Sequence, residues 1–210
     1  MRLLLVRHGE TDYNRQGLAL GRGDVPLNAT GRRQARRLAR ALAGEGIATV
    51  YSSPLRRCLE TACPIARACG VEVQVLPELI EMDIGQAEGL TYAQVRERYP
   101  GILERWLGNR DLSLEALGGE SLPQVQERAW KAVARIARAH PDDTVAVVTH
   151  NFVILALLTR ALGLPLASFR RLRHSVGAIS ELELAGEQVS LRRLNDTCHL
   201  RGRDGRGWLP

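Results

Sequence analysis

No run of apolar residues in this chain approaches the ~18–20 needed to cross a bilayer, so a membrane-spanning helix is not expected. The first residues, Met1 to Val6, lead straight into Arg7 and His8 with no cleavage-site pattern behind them. A secretory leader is therefore not expected, and the cytoplasm is the default location. Cysteine is scarce: Cys58, Cys63, Cys69 and Cys198 show neither a CxxC spacing nor the density of a disulfide framework. They are expected to be reduced and mostly buried. Lysine is nearly missing, with Lys131 alone against a large excess of arginine, which supplies most of the +6 net charge. Aromatic residues make up 4% of the chain, too few for a base-stacking platform, and no nucleic-acid recognition motif is present. The positive balance then points to small anionic substrates rather than nucleic acid.

What is present is a chain of 210 residues with 45% apolar and 25% charged content, enough for one compact globular domain. Short apolar runs at Leu3–Val6, Ala48–Ser52, Val71–Leu76 and Thr144–Thr149 have the pattern of strands buried on both faces. Between them lie helical stretches. Thr30–Ala43 sets Ala35, Leu38, Ala39 and Leu42 on one face with arginines opposite. A second helix is predicted from a Ser53 cap with Pro54 in its first turn, and Pro64 should kink or end it. Leu122–His140 and Asn151–Leu162 are predicted as longer helices, and Ala178–Leu184 with Gln188–Leu194 as a hairpin. Alternating strands and helices define an α/β fold: a three-layer sandwich with a mostly parallel central sheet flanked by helices. Residues 85–119 are expected to be an irregular helical cap inserted in the domain, and 201–210 a loose tail.

Arg7-His8-Gly9-Glu10-Thr11 follows the first strand, and His150 follows the Thr144–Thr149 strand where the next helix starts. Ligands of open α/β sheets sit beyond the carboxyl ends of strands, so two histidines distant in sequence converge if those strands are neighbours. A metal between them would need a third ligand, and no HxH or HExxH spacing supplies one. An arginine beside the first histidine instead suits a phosphate, whose oxygens match the planar guanidinium fork. The start of the His150 helix adds backbone N–H donors. Arg56 and Arg57 lie at the end of the second strand, one of them turned inward, and Glu81 a few residues beyond the third. His140 reads as a cation at a helix C-terminus, and His174 as a surface residue near the rim.

The segments LLLVRHGETDYN, GDVPLNATGRRQA, YSSPLRRCLETA, LIEMDIGQAEGLT, GGESL and VVTHN resemble the histidine phosphatase superfamily, the phosphoglycerate mutase-like enzymes, in the family's order and over nearly the whole chain. The resemblance implies a metal-independent phosphoric monoester hydrolase with no cofactor. His8 would be the nucleophile that takes the phosphoryl group. Arg7, Arg57 and His150 would surround the phosphate, with Asn14 adding a donor, and Glu81 would act as acid and then base. His8 must attack as the neutral imidazole, while His150 is more useful as the cation.

The EGxT form at Glu88–Thr91 and the tail LNDTCHL favour the phosphatase branch over a cofactor-dependent mutase, the alternative reading, and are similar to bacterial metal-independent phosphoserine phosphatases. His199, in that tail, is a weaker candidate to fold over the site entrance. Ile84 and Leu20, which precedes Gly21, depart from the more polar residues such enzymes carry. With Trp106 they would accommodate a less polar phosphomonoester. The implied partner is a small phosphomonoester, not nucleic acid or membrane; a homodimer stays open.

Overall fold

The computed structural model describes residues 1–108, 111–186 and 188–201. The tail expectation for 201–210 therefore falls, apart from Arg201, outside the described residues. Six strands form one sheet: β1 (Arg2–Arg7), β2 (Ile47–Ser52), β3 (Val73–Val75), β4 (Thr144–Thr149), β5 (Ile179–Ala185) and β6 (Gln188–Asp196). Their spatial order is β3-β2-β4-β1-β5-β6. The first four neighbours are parallel, and β5 and β6 join as an antiparallel hairpin on the β1 side. The sheet is thus mixed, with a parallel core of four strands. β1 and β4 lie side by side in register from Arg2 opposite Thr144 to Arg7 opposite Thr149, so the residues that follow them, His8 and His150, emerge together.

The helices are α1 (Asp12–Gln16), α2 (Ala29–Leu42), α3 (Arg56–Cys69), α4 (Tyr92–Arg98), α5 (Ile102–Leu107), α6 (Leu122–Ala139) and α7 (Asn151–Ala161). Alternation along the strands builds the layers. Leu4, Val6, Val50, Ala146 and Val148 face α2 and α3, burying Leu38, Leu42, Ala62 and Ile65. Leu3, Leu5, Val145 and Val147 face the other way, against Val125, Ala129 and Val133 of α6 and Val153, Ile154 and Leu157 of α7. That second core extends over α4 and α5 through Val95, Leu103 and Trp106.

Several expectations change at element ends. α3 begins at Arg56, not at Ser53-Pro54, and its first N–H is capped by Asp24 Oδ1 at 2.8 Å from another segment. The Ser53 hydroxyl instead accepts from the Leu55 N–H at 3.4 Å and pairs with His150. Pro64 neither ends nor caps α3, which runs on to Cys69; packing of Ala62, Ile65 and Ala66 into the core offsets the lost backbone bond. β3 is shorter than predicted and lies at the sheet edge with Val75 exposed, since Val71 closes the end of α3 by donating to Ala66. Only Cys58 is buried; Cys63 and Cys198 are exposed and Cys69 is intermediate, so the cysteines are not mostly buried. Among the described residues no helix is long and apolar enough to cross a membrane.

The loop after β1 is pinned against α2 by two glycines. A Cβ on Gly9 would lie 2.6 Å from the Gly31 carbonyl oxygen, and one on Gly31 would lie 2.1 Å from the Glu10 carbonyl oxygen. Neither backbone can retreat, because the Glu10 N–H donates to Gln34 Oε1 at 2.8 Å and the Asn28 N–H to the Glu10 carbonyl at 3.0 Å. Gly31→Ala should therefore lower stability by roughly 1–3 kcal/mol, as overpacking does. The expected readout is a drop in the urea midpoint at unchanged slope.

Candidate active site

Each strand end delivers one component. The His8 N–H donates to the Thr149 carbonyl at 3.1 Å, and the Gly177 N–H reaches the carbonyls of Arg7 and His8. These bonds hold the end of β1 between β4 and the entry to β5. His8 and His150 meet with ring centroids 5.3 Å apart, as neighbouring strands require.

His8 is buried, and its Nδ1 lies 2.7 Å from the Gly9 carbonyl oxygen. A carbonyl only accepts, which assigns the proton to Nδ1 and leaves the lone pair on Nε2. Burial, reinforced by the charges of Arg57 and Arg7, holds the His8 pKa well below the usual imidazole range, so the ring is neutral at physiological pH. His150 is also neutral. Its Nδ1 accepts from Arg57 Nε at 3.3 Å and its Nε2 donates to Ser53 Oγ at 2.7 Å. Burial first, then Arg57, His8 and Arg7, push its pKa well down. The expectation of a cationic His150 is thus corrected. The Cys58 thiol packs 3.4 Å from His150 Nε2, and burial raises its own pKa.

Arg57 is the arginine that turns inward, as the first residues of α3 require; Arg56 is exposed. Arg57 is wholly buried, with Nη1 and Nη2 donating to the carbonyls of Gly23 and Gly21 at 2.6 Å each. Gly21 thus holds the arginine rather than lining the cavity. Its own N–H, with that of Gly23, donates to the Glu88 carboxylate. Arg7 donates to Asn151 Oδ1 at 3.1 Å and to the His174 carbonyl. Burial lowers its pKa to about 10, so it stays charged. Asn14 Oδ1 accepts from the Thr11 N–H at 3.1 Å, which leaves its amide N–H groups as the free end.

Glu81 is buried, its carboxylate accepting from the Met82 N–H at 2.9 Å and from the Phe152 N–H, in the first turn of α7, at 3.3 Å. Desolvation outweighs these bonds and the nearby arginines, and its pKa is raised. The segment that carries it is fixed by Arg128, which donates to the carbonyls of Glu78, Ile80 and Glu81 at 2.6–3.0 Å while paired with Glu120 at 3.0 Å. Glu120 also accepts from the Asp83 N–H. Sequence reasoning noted Glu120 only inside GGESL and missed Arg128, Ser53, Asn151 and Glu88. All of these act on other site residues through bonds between distant segments; Ser53 and Asn151, beside recognised positions, and Glu88, within the EGxT form, carry a sequence signal, whereas Arg128 carries none.

A cavity of roughly 200 Å³ is lined by Arg7, His8, Asn14, Leu20, Glu81, Ile84, Trp106, Asn151 and Phe152, among others. Arg57 and His150 lie behind this wall. Trp106 packs on Phe152 and Phe169 with ring centroids 5.8 Å away in each case. Among the described residues no group of three or more His, Cys, Asp or Glu is placed to hold a metal ion. Two other histidines stand apart. His140 ends α6, linking Asp143 and the Tyr51 hydroxyl. His199 Nε2 contacts the Gly177 carbonyl at 2.8 Å and does not line the cavity.

A buried neutral imidazole, Arg7 and a carboxyl group of raised pKa on one cavity, with Arg57 behind its wall, suit phosphoryl transfer. The chain belongs to the histidine phosphatase superfamily (branch 1), whose sequence profile matches residues 3–197. It is a phosphatase of that family. It is 34% identical over 200 residues to Phosphoserine phosphatase 1 of Hydrogenobacter thermophilus, covering 95% of this chain and 94% of that one. It is 40% identical over 201 residues to the bifunctional protein Rv2228c of Mycobacterium tuberculosis, where the match spans 55% of that longer protein. Its fold superposes on the mycobacterial glucosyl-3-phosphoglycerate phosphatase Rv2419c, solved with VO3, at a TM-score of 0.84 and 31% identity, over 92% of this chain and 98% of that one.

His174 departs from its surface reading. It is 3% exposed, and neither ring nitrogen has a hydrogen-bond partner among the described residues. The bonds of its carbonyl to Arg7 and of Gly177 to the β1 end fold the segment inward. Desolvation, with Arg7, lowers its pKa to about 3. An unfolded histidine takes up a proton near pH 6.5, so below that pH the unfolded state binds more protons and stability falls with falling pH, by up to about 1.4 kcal/mol per pH unit for this group. His174→Leu should therefore lose less melting temperature than the wild type between pH 7 and pH 5.

Proposed function

We propose that this protein hydrolyses a small phosphomonoester through a phosphohistidine on His8. The observation that carries the reading is the assigned His8 tautomer: Nδ1 is tied to the Gly9 carbonyl, so the Nε2 lone pair is the available nucleophile, on a cavity shared with Arg7 and Glu81. In the first step Nε2 bonds to phosphorus as the ester P–O bond breaks, and the Glu81 carboxyl gives its proton to the departing alkoxide. In the second step the Glu81 carboxylate takes a proton from water, which attacks phosphorus and displaces Nε2, releasing phosphate. Charge on the phosphoryl oxygens is met by Arg7 and Asn14 in the wall, with Arg57 and His150 behind; one such donor is typically worth ~10²–10³ in rate. Residues 85–119, which supply Ile84's neighbours Ala87, Tyr92, Trp106 and Leu117 to the wall, act as a cap that limits water. A mutase must hold a second phosphate or carboxylate, and the apolar wall beside Ile84 favours hydrolysis of a monoester instead.

The covalent scheme requires His8. His8→Ala should lower kcat at least 10³-fold on p-nitrophenyl phosphate while circular dichroism and melting temperature stay near the wild type. Retention of more than a few per cent of activity would overturn the scheme.

The acid–base assignment fixes the sign of the pH dependence. The depressed His8 pKa keeps the nucleophile neutral well into acid, whereas Glu81 must stay protonated, so kcat falls as pH rises through its elevated pKa. The kcat profile for an alkyl phosphate should peak on the acid side of neutrality, and Glu81→Gln should abolish its alkaline limb along with most of the rate. An unchanged alkaline limb in that variant would remove Glu81 from the role.

A further inference from the structure

The cavity wall divides sharply by chemistry. Its charged, imidazole and amide side chains are Arg7, His8, Asn14, Glu81 and Asn151, and every other lining residue is aliphatic or aromatic. The polar group is already committed to a phosphoryl group: Arg7 is the wall's cation among the described residues, and Glu81 needs its proton for the alcohol. Among the described residues no second cation lines the wall. Arg22 is paired with Asp83 and Glu120 at 3.3 and 3.1 Å. Arg170 stacks on the Trp106 and Phe169 rings, donates to the Trp106 carbonyl at 2.7 Å, and is not part of the lining.

Resting on the phosphatase reading above, we propose that the alcohol esterified to the phosphate is a compact, apolar, uncharged group of about one ring, rather than an amino acid, a glycerate or a second phosphate. Leu20, Ile84, Tyr92, Trp106 and Phe152 would enclose it. A carboxylate placed there would be desolvated without a counter-charge, which is unfavourable unless it is paired. A flat ring instead gains from apolar contact and from offset or edge-on packing against the aromatic walls. The volume of roughly 200 Å³ is below the ~300–1,000 Å³ of sites for drug-sized ligands, so the group is small.

Benzyl phosphate and O-phospho-L-serine test this, because both are esters of primary alcohols. The expected kcat/KM for benzyl phosphate exceeds that for phosphoserine by about 10² or more, in the range that buried polar mismatch produces. Ile84→Arg, which brings a cation to the wall, should shrink that ratio at least tenfold. Tyr92→Ala, at a position 65% exposed and safe for folding, should lower kcat/KM for benzyl phosphate several-fold more than for phosphoserine. Equal or faster phosphoserine turnover by the wild type, with His8→Ala silent on both esters, would overturn the apolar-alcohol proposal and leave the phosphatase standing. Hydrolysis of neither ester would overturn both.

Discussion

Burial, reinforced by a guanidinium sealed from solvent, governs the ionisation of this site. Arg57 is the largest fully buried side chain, and it persists there because the Gly21 and Gly23 carbonyls and His150 Nδ1 receive its donors. The same two glycines donate their N–H groups to the Glu88 carboxylate, which fixes the loop that carries those acceptors. Desolvation first, and the Arg57 charge second, drive the neighbouring histidines neutral. His8 then has a lone pair to offer, and His150 spends its proton on Ser53. The carboxylates of Glu81, Glu88 and Asp24 partly balance the charge, and Glu81, caught between desolvation and two arginines, still holds its proton more tightly than usual.

The division of labour between chain ends and chain middle follows from the sheet. β1, β2 and β4 are central, and their carboxyl ends bring Arg7 with His8, Arg57 and His150 to the same rim. Glu81 comes from a segment beyond the edge strand, where no neighbouring strand fixes the backbone. Arg128 on α6 takes over that role by gathering the carbonyls of Glu78, Ile80 and Glu81, and Glu120 anchors Arg128 in turn. The segment that carries Glu81 is thus attached to α6.

The layered fold and the parallel order of the first strands were legible because buried parallel strands are continuous apolar runs, and the Leu3–Val6 and Thr144–Thr149 runs have no polar interruption. The convergence of His8 and His150 followed from strand ends alone. What escaped were effects carried by distant bonds. Asp24 replaces Ser53 as the cap of α3, and His174 is drawn inward by a backbone acceptor rather than by any hydrophobic pattern of its own. The charge of His150 escaped for the same reason: its sequence neighbourhood says nothing of Arg57 donating to the ring, which settles the tautomer. At Pro64 the helix does not end, because local propensity yields to the packed face around Ala62 and Ile65.

Cys58 lies against the His150 ring with no route to solvent and with its thiol pKa pushed up by burial. Thiolate is the form that oxidants and alkylating reagents attack, so this sulfur is chemically silent where it stands. On the reading proposed above the nucleophile is a nitrogen, and the sulfur packed against His150 is held as the thiol by burial. Peroxide or thiol-blocking agents would meet the outward-facing Cys63 and Cys198 first, at places that carry no part of the turnover machinery.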